Sequence, residues 1–358
     1  MNHRNSGRTI IVRMMCAIVF LTFTFLFVYR YQAPTLEYVQ HVLSGGQTHY
    51  APLIGGIIIT AVAQLLQSIV YRFLRLSNAS YSLTYVPSML LLILLTDIIP
   101  YEHGGGFSVG TFYYFLPLVL LVYAILLRLA KQWIRVEKKG DSILSSEVIV
   151  ANLLTMVITM GSTLALANGN QHFMSVIRAN DALTNADYET IIKETDKVSM
   201  ADTTLTTYRC IALDRRNSIG DSLFHAPVTG SLETLTNMKG VYPLTATPKV
   251  LKRTYYSPAY LLSGLLLERD IDRFARNVKN FYTINDSLPQ HFKEALVLYQ
   301  HLRSNPVTDF KNEIMETDYD GVQEIIRNVK DANERNAELY RTYRKTYWAY
   351  YFRGKNQK

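Results

Sequence analysis

The sequence predicts an all-α protein, with a five-span transmembrane helix bundle over residues 1–168 and a soluble domain of helical hairpins over residues 169–358. Apolar runs about as long as a membrane-spanning helix recur as far as Val148–Ala167, and none of comparable length follows. Residues 1–168 hold 11 of the 37 Lys and Arg and 6 of the 29 Asp and Glu, whereas residues 169–358 hold 26 and 23. The second half therefore has the mixed charge of an ordinary soluble domain.

The five predicted spans are apolar segments with Tyr, Trp or Arg near their ends, where such side chains favour the membrane interface. They cover residues 10–29, 53–70, 83–99, 112–127 and 148–167. The first span could instead be a cleavable signal peptide. The segment that follows it, residues 29–34, lacks the small residues spaced for cleavage, which favours an uncleaved anchor.

Lysine and arginine are distributed unequally between the two sides of this bundle. The N-terminus and the loops after the second and fourth spans hold ten of them, whereas the other two loops hold one, Arg30. The ten are Arg4, Arg8, Arg13, Arg72, Arg75, Arg128, Lys131, Arg135, Lys138 and Lys139. Because basic loops stay in the cytoplasm, we expect a cytoplasmic N-terminus. The odd number of spans then places the C-terminal domain outside.

Two of the spans carry small and polar residues along one helix face. These are Gly56, Thr60, Ala63 and Gln67 in the second span, and Asn152, Thr155, Thr159 and Ser162 in the fifth. Such faces allow helices to approach closely and to form hydrogen bonds across the contact. We therefore predict helix–helix packing, with a polar pathway for a substrate as the alternative.

The two loops on the outer side contain further features. Leu36, Val39, Gln40 and Leu43 have helical spacing before Gly45-Gly46, which predicts a short interfacial helix that ends at the glycines. The next loop brings Asp97, Glu102 and His103 together in sequence, beside a run of three glycines. These three residues are the candidate acid–base cluster, although Asp97 near a helix end could simply reach the interface. No metal-ligand spacing is present, and the two cysteines predict neither a disulfide framework nor a metal site.

The C-terminal half has helical periodicity. It predicts a hairpin of two helices, one between Asp187 and Val198 and one from Leu205 to Ala212. Residues 225–250 are rich in Pro, Gly and Thr and predict an irregular connection without a helix. No phosphate-binding glycine loop, nucleophile elbow or zinc motif occurs, so we expect no cofactor.

From residue 255 onward, large and small residues alternate as they do on the paired helices of a repeat. They are Tyr260, Gly264 and Leu267 in a first helix and Ala275 and Phe281 in a second, with Pro289 closing the unit and a further pair starting at His291. This spacing resembles a tetratricopeptide repeat, loosely by one position. Stacked hairpins leave a concave face free for ligands, and we predict that Tyr260 and Tyr299 lie on it.

One last helix is predicted from Tyr319 through the aromatic segment that ends at Phe352. Tyr343, Tyr347 and Trp348 alternate there with basic residues, a pattern that can bind nucleic acid by stacking. The predicted location outside the cytoplasm argues against nucleic acid. Packing against the preceding helices is the favoured interpretation, and contact with a partner or the membrane face is the alternative.

Several segments together resemble an uncharacterised family of bacterial multi-pass inner-membrane proteins with a tetratricopeptide-like C-terminal domain. They are Leu36–Thr60, Tyr256–Tyr260, Leu288–Leu296 and Thr346–Tyr351. The resemblance implies a bacterial inner membrane and a periplasmic C-terminal domain. It transfers no activity and no site residue.

These observations favour a membrane protein whose outer helical domain binds a protein or peptide. The alternative is a membrane enzyme that acts on a lipid-linked or sugar substrate at the outer loops. A transporter component is a third hypothesis, weakened because no internal duplication of spans is visible. We expect the lipid bilayer and an extracytoplasmic protein or peptide as partners, and no nucleic acid.

Overall fold

The computed structural model describes residues 2–100, 106–137, 146–167, 169–241, 251 and 255–355. The chain forms two compact units, Met1–Asn170 and Gln171–Lys358, and both are mainly helical. In the described part of the first unit the elements are α1 (Asn2–Leu26), a π-helical turn (Phe27–Tyr31), α2 (Ala33–Leu43), α3 (Pro52–Leu74), a 3-10 segment (Asn78–Tyr85), α4 (Val86–Thr96), β1 (Ile98–Pro100), β2 (Phe107–Val109), α5 (Phe112–Glu137) and α6 (Ser146–Leu166).

The first unit contains apolar helices of membrane-spanning length. Among the described residues, four segments are long and apolar enough to cross a bilayer, namely Ile10–Tyr31, Pro52–Leu74, Phe112–Lys131 and Val148–Leu166. The predicted third span, 83–99, corresponds to a shorter apolar helix, Ser80–Thr96. It is shorter because the helix ends at Asp97 and the chain continues as a strand.

The short apolar helix runs antiparallel to α3. Ser88 Oγ donates to the carbonyl of Ala63 at 2.7 Å, and Gln67 Nε2 donates to Thr84 Oγ1 at 2.8 Å. Because residue 84 pairs with residue 67 and residue 88 pairs with residue 63, the two helices run in opposite directions. The helix returns the chain from the Arg75 end of α3 toward the end where α3 begins.

The helices α5 and α6 continue this alternation. The Phe112 N–H donates to Asp97 Oδ2 at 2.7 Å, and the Tyr123 hydroxyl donates to the Leu83 carbonyl at 3.0 Å, so α5 runs antiparallel to α4. Asn152, near the start of α6, accepts from the Ser82 N–H at 2.8 Å. The chain thus traverses the described part of the bundle in alternating directions.

The polar face of α3 packs inside the bundle as the sequence predicts. The buried residues of α3 are Gly56, Thr60, Ala63 and Gln67, the same four that define the predicted face. A side chain at Gly56 would press against the Phe25 ring of α1. On α6, Asn152 is buried, while Ser162 is exposed and donates to a carbonyl of its own helix.

The all-α prediction is wrong in one detail, because β1 and β2 form a small antiparallel hairpin with Ile98 opposite Val109. The predicted helix before Gly45 is present as α2, and Gly45 and Gly46 adopt φ values of +62° and +80° that favour glycine. The hydroxyl of Tyr38 on α2 donates to the Gly106 carbonyl at 2.8 Å. The hairpin and α2 therefore lie at the same end of the bundle.

The second unit consists of short helices, most of which pack on their neighbours in sequence. They are α7 (Gln171–Thr184), α8 (Tyr188–Asp196), α9 (Thr203–Arg215), α10 (Ile219–Ser222) with a 3-10 turn (Leu223–His225), α11 (Leu232–Asn237), α12 (Pro258–Leu267), α13 (Ile271–Val278), α14 (Gln290–Leu302), α15 (Glu313–Asn328), α16 (Ala332–Tyr343) and α17 (Tyr347–Lys355). The predicted hairpin corresponds to α8 and α9, and Asp187 caps α8 by accepting from the Thr190 N–H. The sequence prediction missed α7.

Two predictions for the middle of this unit are wrong. The segment 225–250 contains a helix, α11, because Ser231 caps its start and Leu235 is fully buried; residues 242–250 lie outside the described part. Phe281 does not belong to the second helix of a repeat. It follows the end of α13, and half of its surface is exposed.

The single last helix predicted from Tyr319 is three helices, α15 to α17. Val329 adopts an extended conformation after α15, and Asp331 then caps α16 by accepting from two backbone N–H groups. A second break precedes Tyr347, whose N–H is bound by the side chain of Glu294 rather than by a preceding turn. Local capping and a distant carboxylate therefore divide the segment.

Candidate functional site

Of the predicted acid–base cluster, only Asp97 lies within the described residues; Glu102 and His103 do not. Asp97 ends α4, and its carboxylate accepts from the Phe112 N–H at the start of α5. A Cβ at Gly110 would overlap this carboxyl group, so glycine is required there. The geometry gives Asp97 a structural role in joining α4 to α5.

Four of the five residues predicted to bind a ligand belong to the core of the second unit. Tyr260 and Tyr347 are 0% exposed, Trp348 is 1% exposed and Tyr299 is 4% exposed. The hydroxyl of Tyr260 donates to the Leu235 carbonyl at 3.1 Å, and that of Tyr299 accepts from the Val307 N–H at 3.1 Å. A ligand would have to open the packing to reach these side chains, so we assign them to the core.

The aromatic core is organised around a buried carboxylate that sequence reasoning missed. Glu294, 1% exposed, accepts from His291 Nδ1 at 3.0 Å and from the Tyr347 N–H at 2.7 Å. The carbonyl of Glu294 accepts from Trp348 Nε1 at 2.7 Å. This residue holds α17 against α14. An i, i+3 pair of His and Glu on an otherwise apolar face was the only local indication of it.

His225 lies at the edge of this core. Its ring centre is 5.7 Å from that of His291. Desolvation lowers the pKa of His225, and electrostatic interaction with the neighbouring His291 and Lys345 lowers it further. The folded second unit therefore favours the neutral form of this imidazole.

Tyr343, the fifth predicted residue, is half-buried beside an open polar groove on α15. The groove has a volume of about 680 Å³ and is lined by Thr317, Asp320, Gly321, Glu324, Arg327 and Asn328. The absence of a side chain at Gly321 leaves room for the Tyr343 hydroxyl. Burial raises the pKa of Tyr343, and the carboxylates of Asp318 and Glu324 add to this rise.

The surface around this groove is acidic. The carboxylates of α15 are Glu313, Glu316, Asp318, Asp320 and Glu324, against one basic residue, Arg327. Carboxylates accept hydrogen bonds from Lys and Arg, and a tyrosine ring attracts a cation. Such a groove suits the recognition of a basic or polar segment. Within the described ranges, no three His, Cys, Asp or Glu side chains are grouped so that they could hold a metal ion.

Part of the second unit is similar to a known family of sequences. Residues 256–354 match the model of a family of unknown function, DUF6057. This match covers α12 to α16 and nearly all of α17, and so includes Glu294 and the α15 groove. No curated protein matches the chain, and no solved structure matches it.

Proposed function

We propose that this protein is an integral protein of a bacterial inner membrane that holds its second unit in the periplasm and binds a protein or peptide there. The observation that carries the binding role is the acidic groove on α15 with Tyr343 beside it. In this proposal the first unit anchors the chain in the bilayer through five spans. The second unit is a tetratricopeptide-like array of hairpins.

The fifth crossing is supported by the antiparallel contacts of Ser80–Thr96 with α3 and α5. A 3-10 helix rises about 2.0 Å per residue and an α-helix about 1.5 Å, so Ser80–Tyr85, which begins at a kink, and the 11 residues of Val86–Thr96 together cover roughly 29 Å. That length is the thickness of a hydrocarbon layer. Five crossings also keep all ten basic residues on one side, whereas four would divide them.

Reporter fusions test this topology. An enzyme active only outside the cytoplasm is expected to be active when fused after Lys358 and silent when fused at Lys139. A cytoplasmic reporter at the same positions should give the opposite pattern. The reverse pattern, active at Lys139 and silent after Lys358, would result if Ser80–Thr96 does not cross, and the periplasmic location would then be wrong.

The partner is expected to present basic side chains to the groove. Asp320 and Glu324 line it with carboxylates, and Gly321 leaves room for the Tyr343 hydroxyl beside them. The hairpin order of α12 to α14 supports the comparison with peptide-binding repeats. The groove itself lies on α15, which follows those hairpins.

A photo-reactive amino acid at position 324 tests the binding role in cells. We expect a covalent adduct with a protein at this position, and none at position 200, where Met200 is 75% exposed elsewhere on the second unit. Adding Asp320→Lys should abolish the adduct at 324, whereas Glu189→Lys on exposed α8 should leave it unchanged. Adducts of equal yield at positions 200 and 324, or no adduct at all, would contradict the proposal.

A further inference from the structure

A polar cavity lies in the first unit where α3 ends and the 3-10 segment begins. It is open, has a volume of about 610 Å³, and is lined by the last turns of α3 together with Tyr81. Among its lining residues are Tyr71, Arg72 and Arg75. Both arginines line the cavity, and both are exposed to solvent.

A third arginine, Arg13 of α1, packs on two aromatic rings that line this cavity. Its guanidinium carbon lies 4.7 Å from the centre of the Tyr71 ring and 5.5 Å from that of Tyr81. A cation within about 6 Å of an aromatic ring centre is attracted to the ring face. The Nε of Arg13 is buried and has no hydrogen-bond acceptor among the described residues. The rings therefore position this charge without neutralising it.

The neutral polar groups of the wall are engaged with one another. Gln67 Nε2 donates to the Tyr81 hydroxyl at 3.2 Å and to Thr84 Oγ1 at 2.8 Å. Gln67 Oε1 accepts from Gln64 Nε2 at 3.0 Å. These bonds fix Tyr81, and through it the place of Arg13. Arg72 and Arg75 are the charged donors that line the cavity.

Positive charge at this cavity has no negative counterpart in the described ranges. None of Arg13, Arg72 and Arg75 forms an ion pair with a carboxylate of residues that the structure describes. Arg13 lies within the candidate span Ile10–Tyr31, and a charged residue within a span is costly unless it is paired and marks a functional site. Guanidinium groups match the oxygens of phosphate in geometry and charge.

We propose that this cavity binds a phosphate-bearing anion, either the headgroup of an anionic phospholipid or a soluble phosphate. Arg72 and Arg75 contact the phosphate oxygens, and Arg13 supplies charge from the wall. Basic pockets between transmembrane helices recognise anionic headgroups in this way. The site is independent of the α15 groove and of the sidedness of the second unit.

Native mass spectrometry of the full-length protein in neutral detergent tests this site. Phosphatidylglycerol is expected to bind more tightly than phosphatidylcholine. Arg72→Gln and Arg75→Gln should each weaken phosphatidylglycerol binding by about 5- to 10-fold, because each removes a charged hydrogen bond partly exposed to water. Arg72→Lys keeps the charge but loses the guanidinium geometry, so it should weaken binding less than Arg72→Gln does.

Arg128→Gln provides the matched control, because Arg128 is an exposed arginine at the end of another span and does not line the cavity. It should change phosphatidylglycerol binding by less than about 2-fold. Displacement of the lipid by inorganic phosphate would identify the phosphate group alone as the determinant. Binding that resists inorganic phosphate but follows Arg72 and Arg75 would identify the lipid headgroup. An Arg128 variant as impaired as the Arg72 variant, or equal binding of phosphatidylcholine, would overturn the proposal.

Discussion

Buried or span-associated arginines have different partners in the two units. In the second unit the side chain of Arg209 is 2% exposed and donates to Asp196 at 2.7 Å, to Thr195 Oγ1 at 2.9 Å and to the Ser222 carbonyl at 2.9 Å. In the first unit Arg13 lies between aromatic rings, and Arg72 and Arg75 border an open cavity. None of these three has a carboxylate partner among the described residues.

Arg209 therefore stabilises the fold, whereas Arg72 and Arg75 remain available to bind a ligand. When one partner of a buried ion pair is removed, the remaining charged and polar groups have neither water nor a protein group to bond with. The free energy of unfolding then falls by several kcal/mol. An exposed arginine without a partner contributes little to folding. Stability measurements can therefore test the distinction directly.

The largest loss is expected for Glu294→Ala. The substitution leaves His291, the Tyr347 N–H and Gln290 without their buried acceptor, which should cost about 3–5 kcal/mol of the free energy of unfolding. Chemical unfolding followed by tryptophan fluorescence measures this, because Trp348 packs at the same place. Glu313→Ala, at an exposed position in the first turn of α15, is the control. A loss below about 1 kcal/mol for Glu294→Ala would show that the carboxylate does not organise this core.

Arg209→Met should destabilise the second unit by about 3 kcal/mol. The methionine fills similar space, but the carbonyls of Ser222 and Leu223 lose their donor. The matched change Arg215→Met alters an exposed residue of the same helix and should cost less than about 0.5 kcal/mol. Equal effects of the two changes would remove Arg209 from the group of structural charges.

Asp97→Ala should cost about 1 kcal/mol, the usual loss when a side-chain acceptor at a helix start is removed. Asp97→Asn keeps an oxygen that can accept from the Phe112 N–H and should cost less. Thermal unfolding of the purified protein in detergent compares the two. If the asparagine variant is as unstable as the alanine variant, the negative charge rather than the hydrogen bond is what stabilises α5.

Arg72→Gln and Arg75→Gln should change the free energy of unfolding by less than about 0.5 kcal/mol, in contrast to Arg209→Met. The same unfolding assay applies, in detergent without added lipid. A loss as large as that of Arg209→Met would place these arginines with the structural charges and end the contrast between the units.

The smallest effect concerns pH. Because the pKa of His225 is lowered in the folded state from an ordinary value of 6.5, the unfolded chain binds a proton more readily. The stability contributed by the neutral imidazole is complete above pH 6.5 and falls as the pH drops toward the lower folded pKa. His225→Gln should flatten the dependence of unfolding on pH between about 5 and 7. An unchanged slope would mean that another group titrates there.

The features of the fold that depend on residues close together in sequence could be predicted from the sequence alone. The buried face of α3 follows from the spacing of four small and polar residues, and the start of α8 follows from Asp187 before a helical stretch. Asp331 followed by Glu334 was an equally local sign of a helix start within the segment predicted as one helix.

The remainder depends on contacts between residues far apart in sequence. Glu294 meets Tyr347 across 53 positions, and Arg209 meets carbonyls on a turn 13 and 14 positions away. No periodicity predicts such pairings. Sequence analysis favoured packing of the last aromatic residues against the preceding helices, but it could not identify α14 and Glu294 as their partners. Spacing along the chain also could not predict the cavity in the first unit, because Arg13 reaches Tyr71 and Tyr81 from a different helix.

The seating of α17 on α14 also determines when the second unit can finish folding. Chains are synthesised from the N-terminus, and long-range contacts form only after both partners exist. Residues 290–302 must wait for residues 347–352 before Glu294 acquires its hydrogen bonds from Tyr347 and Trp348. Until then a carboxylate and an imidazole lie on an incomplete apolar surface, exposed to water, proteases and chaperones. Completion of this core is therefore a late kinetic event that distinguishes a finished unit from a nascent one.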